Sequence, residues 1–195
     1  MTTDVMTIPL EASRRYTATA QWLHWVTAAL ILAVLVLAWV MESLPNGDAS
    51  RATVIMLHKS VGLTILALTA VRLAWRAIHP PPPSARRAAW ESAAATASHW
   101  LLYLVLLAMP ISGYLMSAGR GRAIPYFNLF DVPLLTPPTD AIWRIGSTVH
   151  AVGQWALYAL VVLHVAAAVW HVAVRRDGTL DRMLPEQTAA ETYGP

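Results

Sequence analysis

A chain of 195 residues that is 56% apolar and only 13% charged cannot wet the surface of a water-soluble domain of its size, since soluble domains carry about 25% charged residues. It has no cysteine, which excludes disulfides, iron–sulfur clusters, thiolate metal sites and covalent CxxCH haem attachment. The net charge of +3 rests on arginine, Lys59 being the one lysine; in so apolar a chain it reads as membrane topology before nucleic-acid binding.

Four segments are long and apolar enough to cross a bilayer, each near the ~20 residues that about 30 Å of hydrocarbon demands. The first covers about 22–41, WLHWVTAALILAVLVLAWVM. Its apolar run exceeds a secretory signal core and no small-x-small cleavage site follows in ESLPNGD, so it is expected to be retained. The second covers about 54–75 and ends before HPPPPSARR, where Pro80 to Pro83 cannot extend a helix. The third covers about 97–117, with Pro110 and Gly113 predicting a bend or thinning. Residues 118–146, rich in Pro, Phe, Tyr and Leu, are expected to pack over the outer end of the bundle. The fourth covers about 149–174, and residues 186–195 read as a disordered tail. The fold class expected is an all-α membrane protein, a four-transmembrane-helix bundle forming one domain over residues 1–185.

With four spans, both termini and the loop between spans two and three share one side. That side holds Arg14, Arg15, Arg72, Arg76, Arg86, Arg87, Arg175, Arg176 and Arg182; the other holds Arg51, Lys59, Arg120, Arg122 and Arg144. The positive-inside rule therefore places both termini in the cytoplasm.

Histidine inside a bilayer is costly unless paired, liganded or wetted, and four of the seven histidines lie well inside the spans. His150 and His164 share the fourth helix, fourteen residues apart. That spacing is about 40° short of four full turns and a rise of about 21 Å, which puts both on one face, one toward each leaflet. His24 lies nine residues inside Arg15 and His164 eleven inside Arg175; His58 lies seven inside Arg51 and His150 six inside Arg144. Matching depths pair His24 with His164 toward the cytoplasm and His58 with His150 toward the outside, as bis-histidine ligands of two haems. Gly62 and Gly153 leave room beside His58 and His150; beyond His164 the helix offers Ala167 and Ala168, although Leu160 and Val161 precede it. A hydrogen bond to a neighbouring helix is the plain alternative for any one membrane histidine. A zinc site would want three or four ligands at one centre. A proton path would want carboxylates in the spans, and these spans are nearly devoid of them.

The runs RYTATAQWLHW, LHKSVGLTILALTAVRLAWR, HWLLYLVLLAMPISGYLMS and HAVGQWALYALVVLHVAAAVWH resemble the bacterial cytochrome b561 family across roughly residues 14–185. The resemblance implies a four-helix, di-haem b protein of the bacterial inner membrane, with His24, His58, His150 and His164 as the haem iron ligands. It also implies electron transfer coupled to the membrane quinone pool, since members pass electrons between a quinone and a partner, and some oxidise superoxide at the outer face and reduce ubiquinone. The alternative is an electron-carrying subunit docked on a soluble dehydrogenase or hydrogenase partner.

Two histidines on one iron leave no open coordination position, which favours electron transfer over oxygen binding. Candidate cations for the haem propionates are Lys59 and Arg144 outside and Arg14, Arg15 and Arg72 inside. Arg120 and Arg122 are placed to draw in an anionic substrate such as superoxide, loop solvation being the plain reading. His171, seven residues after His164, is the candidate quinone residue and His99 the reserve, for quinone or propionate contact; His79 reads as a surface residue. Trp22, Trp25, Trp75, Trp100 and Trp170 read as an interfacial belt, while Trp39 and Trp155 either flank the outer haem or simply pack.

Overall fold

A computed structural model of the chain describes residues 15–83 and 88–185. Arg14, Arg86, Arg87 and the 186–195 tail lie outside those residues. The architecture is four long helices, α1 (Ala18–Ser43), α2 (Ala49–Ile78), α3 (Ala89–Gly119) and α4 (Asp140–Trp170), each long and apolar enough to span a membrane. The helices run past the apolar stretches that mark the spans. At 1.5 Å per residue, α3 and α4, of 31 residues each, reach about 46 Å, the thickness of a bilayer with its headgroups. Helix-forming but more polar stretches such as AWESAAATAS at the start of α3 carry them into the interface.

Local chemistry sets the ends. Thr17 caps α1 by accepting from Ala20 N (3.2 Å), Asp48 caps α2 through Ser50 N (2.8 Å), and Thr139 caps α4 through Ile142 N (3.2 Å). Arg51 donates to the carbonyl of Leu44 at 2.7 Å and also to that of Met41, which closes the corner between α1 and α2. α2 stops at Ile78, just before the proline run. Pro110, by contrast, is carried inside a continuous α3.

α3 and α4 are the closest pair, and glycine permits it. A Cβ on Gly146 would lie 2.7 Å from Met116 N and 2.8 Å from Ser112 O; one on Gly119 would meet the Trp143 backbone. α1 packs along α2, and α2 along α3, while α1 and α4 approach less closely and meet through side chains such as Trp39 and Tyr158. The buried centre is Val61, Ile65, Leu106 and Leu157, flanked by Ile31, Val34 and Val161. Large apolar side chains such as Leu32, Val152 and Val162 point outward, as expected where the solvent is hydrocarbon.

Residues 118–146 do pack over one end of the bundle, but as a β-hairpin that the sequence reading did not anticipate. Strands β1 (Ile124–Tyr126) and β2 (Phe130–Val132) pair antiparallel with Ile124 opposite Val132. The turn between them holds Phe127 and Asn128 at φ of 48° and 57°. Ile124 is 2% exposed. Phe127 N donates to Ser60 Oγ (2.9 Å), and Thr64 Oγ1 hydrogen-bonds to the Tyr126 hydroxyl (2.9 Å), fixing the hairpin to α2.

At the opposite end α4 continues into a π turn (His171–Arg175), and a 3-10 turn (Asp181–Met183) follows. This segment folds back across the bundle. Tyr16 N and Gln21 Nε2 donate to Arg182 O (3.1 and 3.3 Å), and Trp25 Nε1 donates to Met183 O (2.8 Å). The Arg182 side chain donates to Pro83 O at 2.6 Å.

Candidate functional site

Among the described residues one cavity lies near the hairpin and another near the opposite end of the bundle, and Ile31 and Leu106 line both. Those two side chains therefore form the partition at mid-depth.

The hairpin-end cavity, of about 350 Å³, brings His58 of α2 opposite His150 of α4, with ring centres 6.3 Å apart and planes at 69°. Each ring is held through Nδ1. His58 Nδ1 lies 3.2 Å from Val34 O, and His150 Nδ1 lies 3.1 Å from Met109 O and 3.0 Å from Ser112 Oγ. A carbonyl can only accept, so the proton sits on Nδ1 and Nε2 is left as a lone-pair donor. Gly62 lines this cavity, and a Cβ there would meet nothing within 4 Å; a Cβ on Gly113 would reach His150 Cε1 at 3.4 Å. Lys59, Arg120 and Arg122 line the same cavity. Arg120 is also paired with Asp140 (3.2 Å) and lies 4.0 Å over the Trp143 ring.

The termini-end cavity, of about 270 Å³, brings His24 of α1 opposite His164 of α4, ring centres 6.1 Å apart and planes at 70°. His99 of α3 stands 5.6 Å from the His164 ring and lines the cavity too. His24 Nδ1 is buried with no hydrogen-bond partner among the described residues. Arg72 lies 5.4 Å over the Tyr103 ring, and Arg76 lies 5.6 Å over Trp100.

Both histidine pairs suit a shared iron. Two imidazoles bonded to one metal from opposite sides at about 2 Å have ring centres roughly 6 Å apart. The carbonyl-bound Nδ1 atoms, the glycine-lined cavity and the buried orphan nitrogen of His24 all fit a porphyrin held between the rings. No cluster of three or more His, Asp or Glu able to hold a bare metal ion occurs among the described residues.

The other sequence candidates separate. Lys59, Arg72, Arg120 and Arg122 line the cavities, but Arg144 is exposed and lines neither. Arg15 donates to Leu184 O (3.3 Å) and so fastens the C-terminal segment. Gly153 serves helix packing, since its Cβ would lie 2.6 Å from Met109 Sδ, and lines neither cavity. Val161 and Val165, and not Ala167 or Ala168, face the cavity beside His164. Trp39 and Trp155 are exposed and line neither cavity. Tyr158 stands between them and the hairpin-end cavity, taking a hydrogen bond from Trp39 Nε1 (3.1 Å). His79 is exposed, as expected, yet lies at the mouth of the termini-end cavity, stacked on Trp75 at 4.0 Å. His171 lines neither cavity, since it stands past the end of the α-helical stretch where a π turn begins, and its Nδ1 lies 2.7 Å from Asp177 Oδ2. Arg76 and Tyr103 were missed as lining residues; Arg76 could have been found, standing one turn after Arg72.

A family model described as prokaryotic cytochrome b561 matches residues 15–186. Cytochrome b561 homolog 2 of Escherichia coli is 33% identical over 176 residues, covering 90% of this chain and 94% of that protein. Cytochrome b561 homolog 1 of the same organism is 27% identical over 179 residues, 89% of this chain and 98% of the relative. A Yersinia pestis protein named probable superoxide oxidase CybB is 28% identical over 181 residues, again 89% and 98%.

Proposed function

Given that this chain belongs to the prokaryotic cytochrome b561 family, whose members are membrane electron-transfer proteins that bind haem b, we propose that it oxidises superoxide at the hairpin end and reduces ubiquinone from the bilayer. Both termini face the cytoplasm in this reading, from the arginine balance, which turns the hairpin outward. The observation that carries the reading is one helix, α4, presenting His150 and His164 to partners on α2 and α1, each pair at about 6 Å between ring centres.

His58 and His150 would hold one haem b and His24 and His164 the other, each haem supplying one-electron redox chemistry. With two histidines held to one iron, oxygen would find no coordination site, so these residues would limit the chemistry to outer-sphere transfer. Lys59, Arg120 and Arg122 form a cationic rim that raises the local concentration of an anion of superoxide's size. Arg72 and Arg76 give the termini-end cavity the same charge for propionates. The similarity to a protein named probable superoxide oxidase supports the choice of donor.

Dithionite-reduced protein should show b-type α-bands and a pyridine haemochrome count of two per chain. Absence of haem overturns the reading, and a single haem overturns the pairing. Superoxide generated in detergent should be consumed faster when ubiquinone is added; equal rates with and without quinone reject the proposed acceptor.

A further inference from the structure

α4 gives way to one π turn, and that turn opens on His171. π turns closed by a left-handed residue, here Arg176, are a common way for a helix to end, and this one sets His171 beside the chain that follows it. His171 Nδ1 lies 2.7 Å from Asp177 Oδ2, and the two side chains are only 18% and 20% exposed. Asp177 is fixed from its other side: Oδ1 accepts from Thr179 N at 3.1 Å and from the Thr179 hydroxyl. Burial pushes the Asp177 carboxyl up, but the hydrogen bonds from Thr179 and His171 outweigh it and hold the group below its ordinary value. The remaining charged neighbours in this turn and on α3, Arg175 and Glu91, are paired with each other at 3.2 Å. His171 Nε2 has no hydrogen-bond partner among the described residues. Around it Trp170, Val172 and Val174 are exposed and apolar, the kind of surface a lipid-soluble ligand approaches.

We propose that His171 and Asp177 form an acid–base couple that delivers protons to the carbonyl oxygens of a quinone arriving from the bilayer, with Asp177 as the positioning residue. A carboxylate on Nδ1–H fixes the tautomer and supports the imidazolium, so Nε2 gives and takes the proton. Reduction of a quinone to a quinol takes up two electrons and two protons. Two superoxide ions supply the electrons and leave as oxygen. At each protonation an Nε2–H bond breaks and an O–H bond forms on the quinone, and the neutral ring regains a proton from water at the membrane surface. This rests on the quinone reading above and adds the source of its protons. It adds to the spacing from His164 a second ground for placing His171 at the quinone, its carboxylate partner.

The test uses full-length haem-loaded protein with a superoxide source and a short-chain ubiquinone, over about pH 5–8. Asp177→Asn is expected to lower quinone reduction about 10–100-fold and to change its pH profile, while haem content and haem reduction by superoxide stay as in the wild type. Asp177→Glu should restore much of the rate. Glu91→Gln, which breaks the ion pair at the same helix end, should leave the rate and profile alone; equal loss in Glu91→Gln would mean the segment acts only as a fastening and overturns the couple. Haem-loaded Asp177→Asn with the wild-type rate and pH profile also overturns it. Should that variant not fold, His171→Gln decides on the same readouts. If wild-type protein reduces no quinone, the quinone reading itself has failed and the couple with it. A working wild type with unaffected variants rejects the couple alone.

Discussion

The two ends of the bundle hold the same kind of histidine pair in different ways. At the hairpin end both rings are locked by backbone carbonyls, Val34 O for His58 and Met109 O for His150. At the termini end His24 Nδ1 is buried without a partner, and a third imidazole, His99, stands beside His164. An unsatisfied buried nitrogen costs about 1–3 kcal/mol, so the backbone orients both rings at the hairpin end, whereas at the termini end the fold carries the cost of leaving the His24 nitrogen unpartnered among the described residues.

The largest expected effects come from the ligands. His150→Ala should lower the haemochrome count from two to one per chain and His164→Ala likewise, with the remaining haem differing between the two variants. His99→Ala sharpens the comparison: the count stays near two if His24 is the partner of His164, and falls to one if His99 is. Next comes packing. Gly146→Leu forces α3 from α4, where a Cβ already meets Met116 N at 2.7 Å, and should cost about 1–3 kcal/mol in thermal or denaturant unfolding. Because Met109 O and Ser112 of α3 orient His150, that variant should release the hairpin-end haem first. Loss of the other haem first would break the contrast drawn between the ends.

A smaller effect is expected from charge. Lys59→Gln together with Arg122→Gln should slow superoxide consumption about tenfold at low salt and flatten its ionic-strength dependence, whereas Arg76→Gln at the other end should leave that dependence intact. The smallest is a pH effect confined to the termini end. The Asp177 carboxyl is held below its ordinary value, so its contribution to stability is present above about pH 4 and is lost as pH falls through its folded value. Amide exchange over residues 177–185 should therefore quicken on acidification while the β-hairpin stays protected.

What could be read from the sequence was position along the membrane normal. A rise of 1.5 Å per residue turns the spacing of His150 and His164 into depth, and flanking arginines supply the reference level for His24 and His58. The structure brings together the same pairs that depth matching selected. What could not be read was rotation about the normal between different helices. The approach of His99 to His164 depends on how α3 turns against α4, which close-approach glycines such as Gly146 set. The β-hairpin was illegible for another reason. Pro125 sits in the middle of a three-residue strand, where sequence rules argue against strand, and Phe127 and Asn128 take left-handed backbone angles that are uncommon outside glycine. Its footing on Ser60 and Thr64 is long-range hydrogen bonding with no periodic signature. The fold-back of residues 182 and 183 onto Tyr16, Gln21 and Trp25 is likewise tertiary, with no local sequence signature.

The seam between α1 and α4, looser than that between α3 and α4, bears on how the protein is made. Synthesis delivers α1 and α2 first, as one leaf of a book, and α3 with α4 later as the second. Each histidine pair joins a residue of the first leaf to one on α4, the last helix to leave the ribosome. In the proposed reading, neither haem would have both its histidines until translation of the spans is complete. A nascent chain arrested before α4 should therefore stay colourless however much haem surrounds it, and the finished chain should take both cofactors in one late step that closes the book.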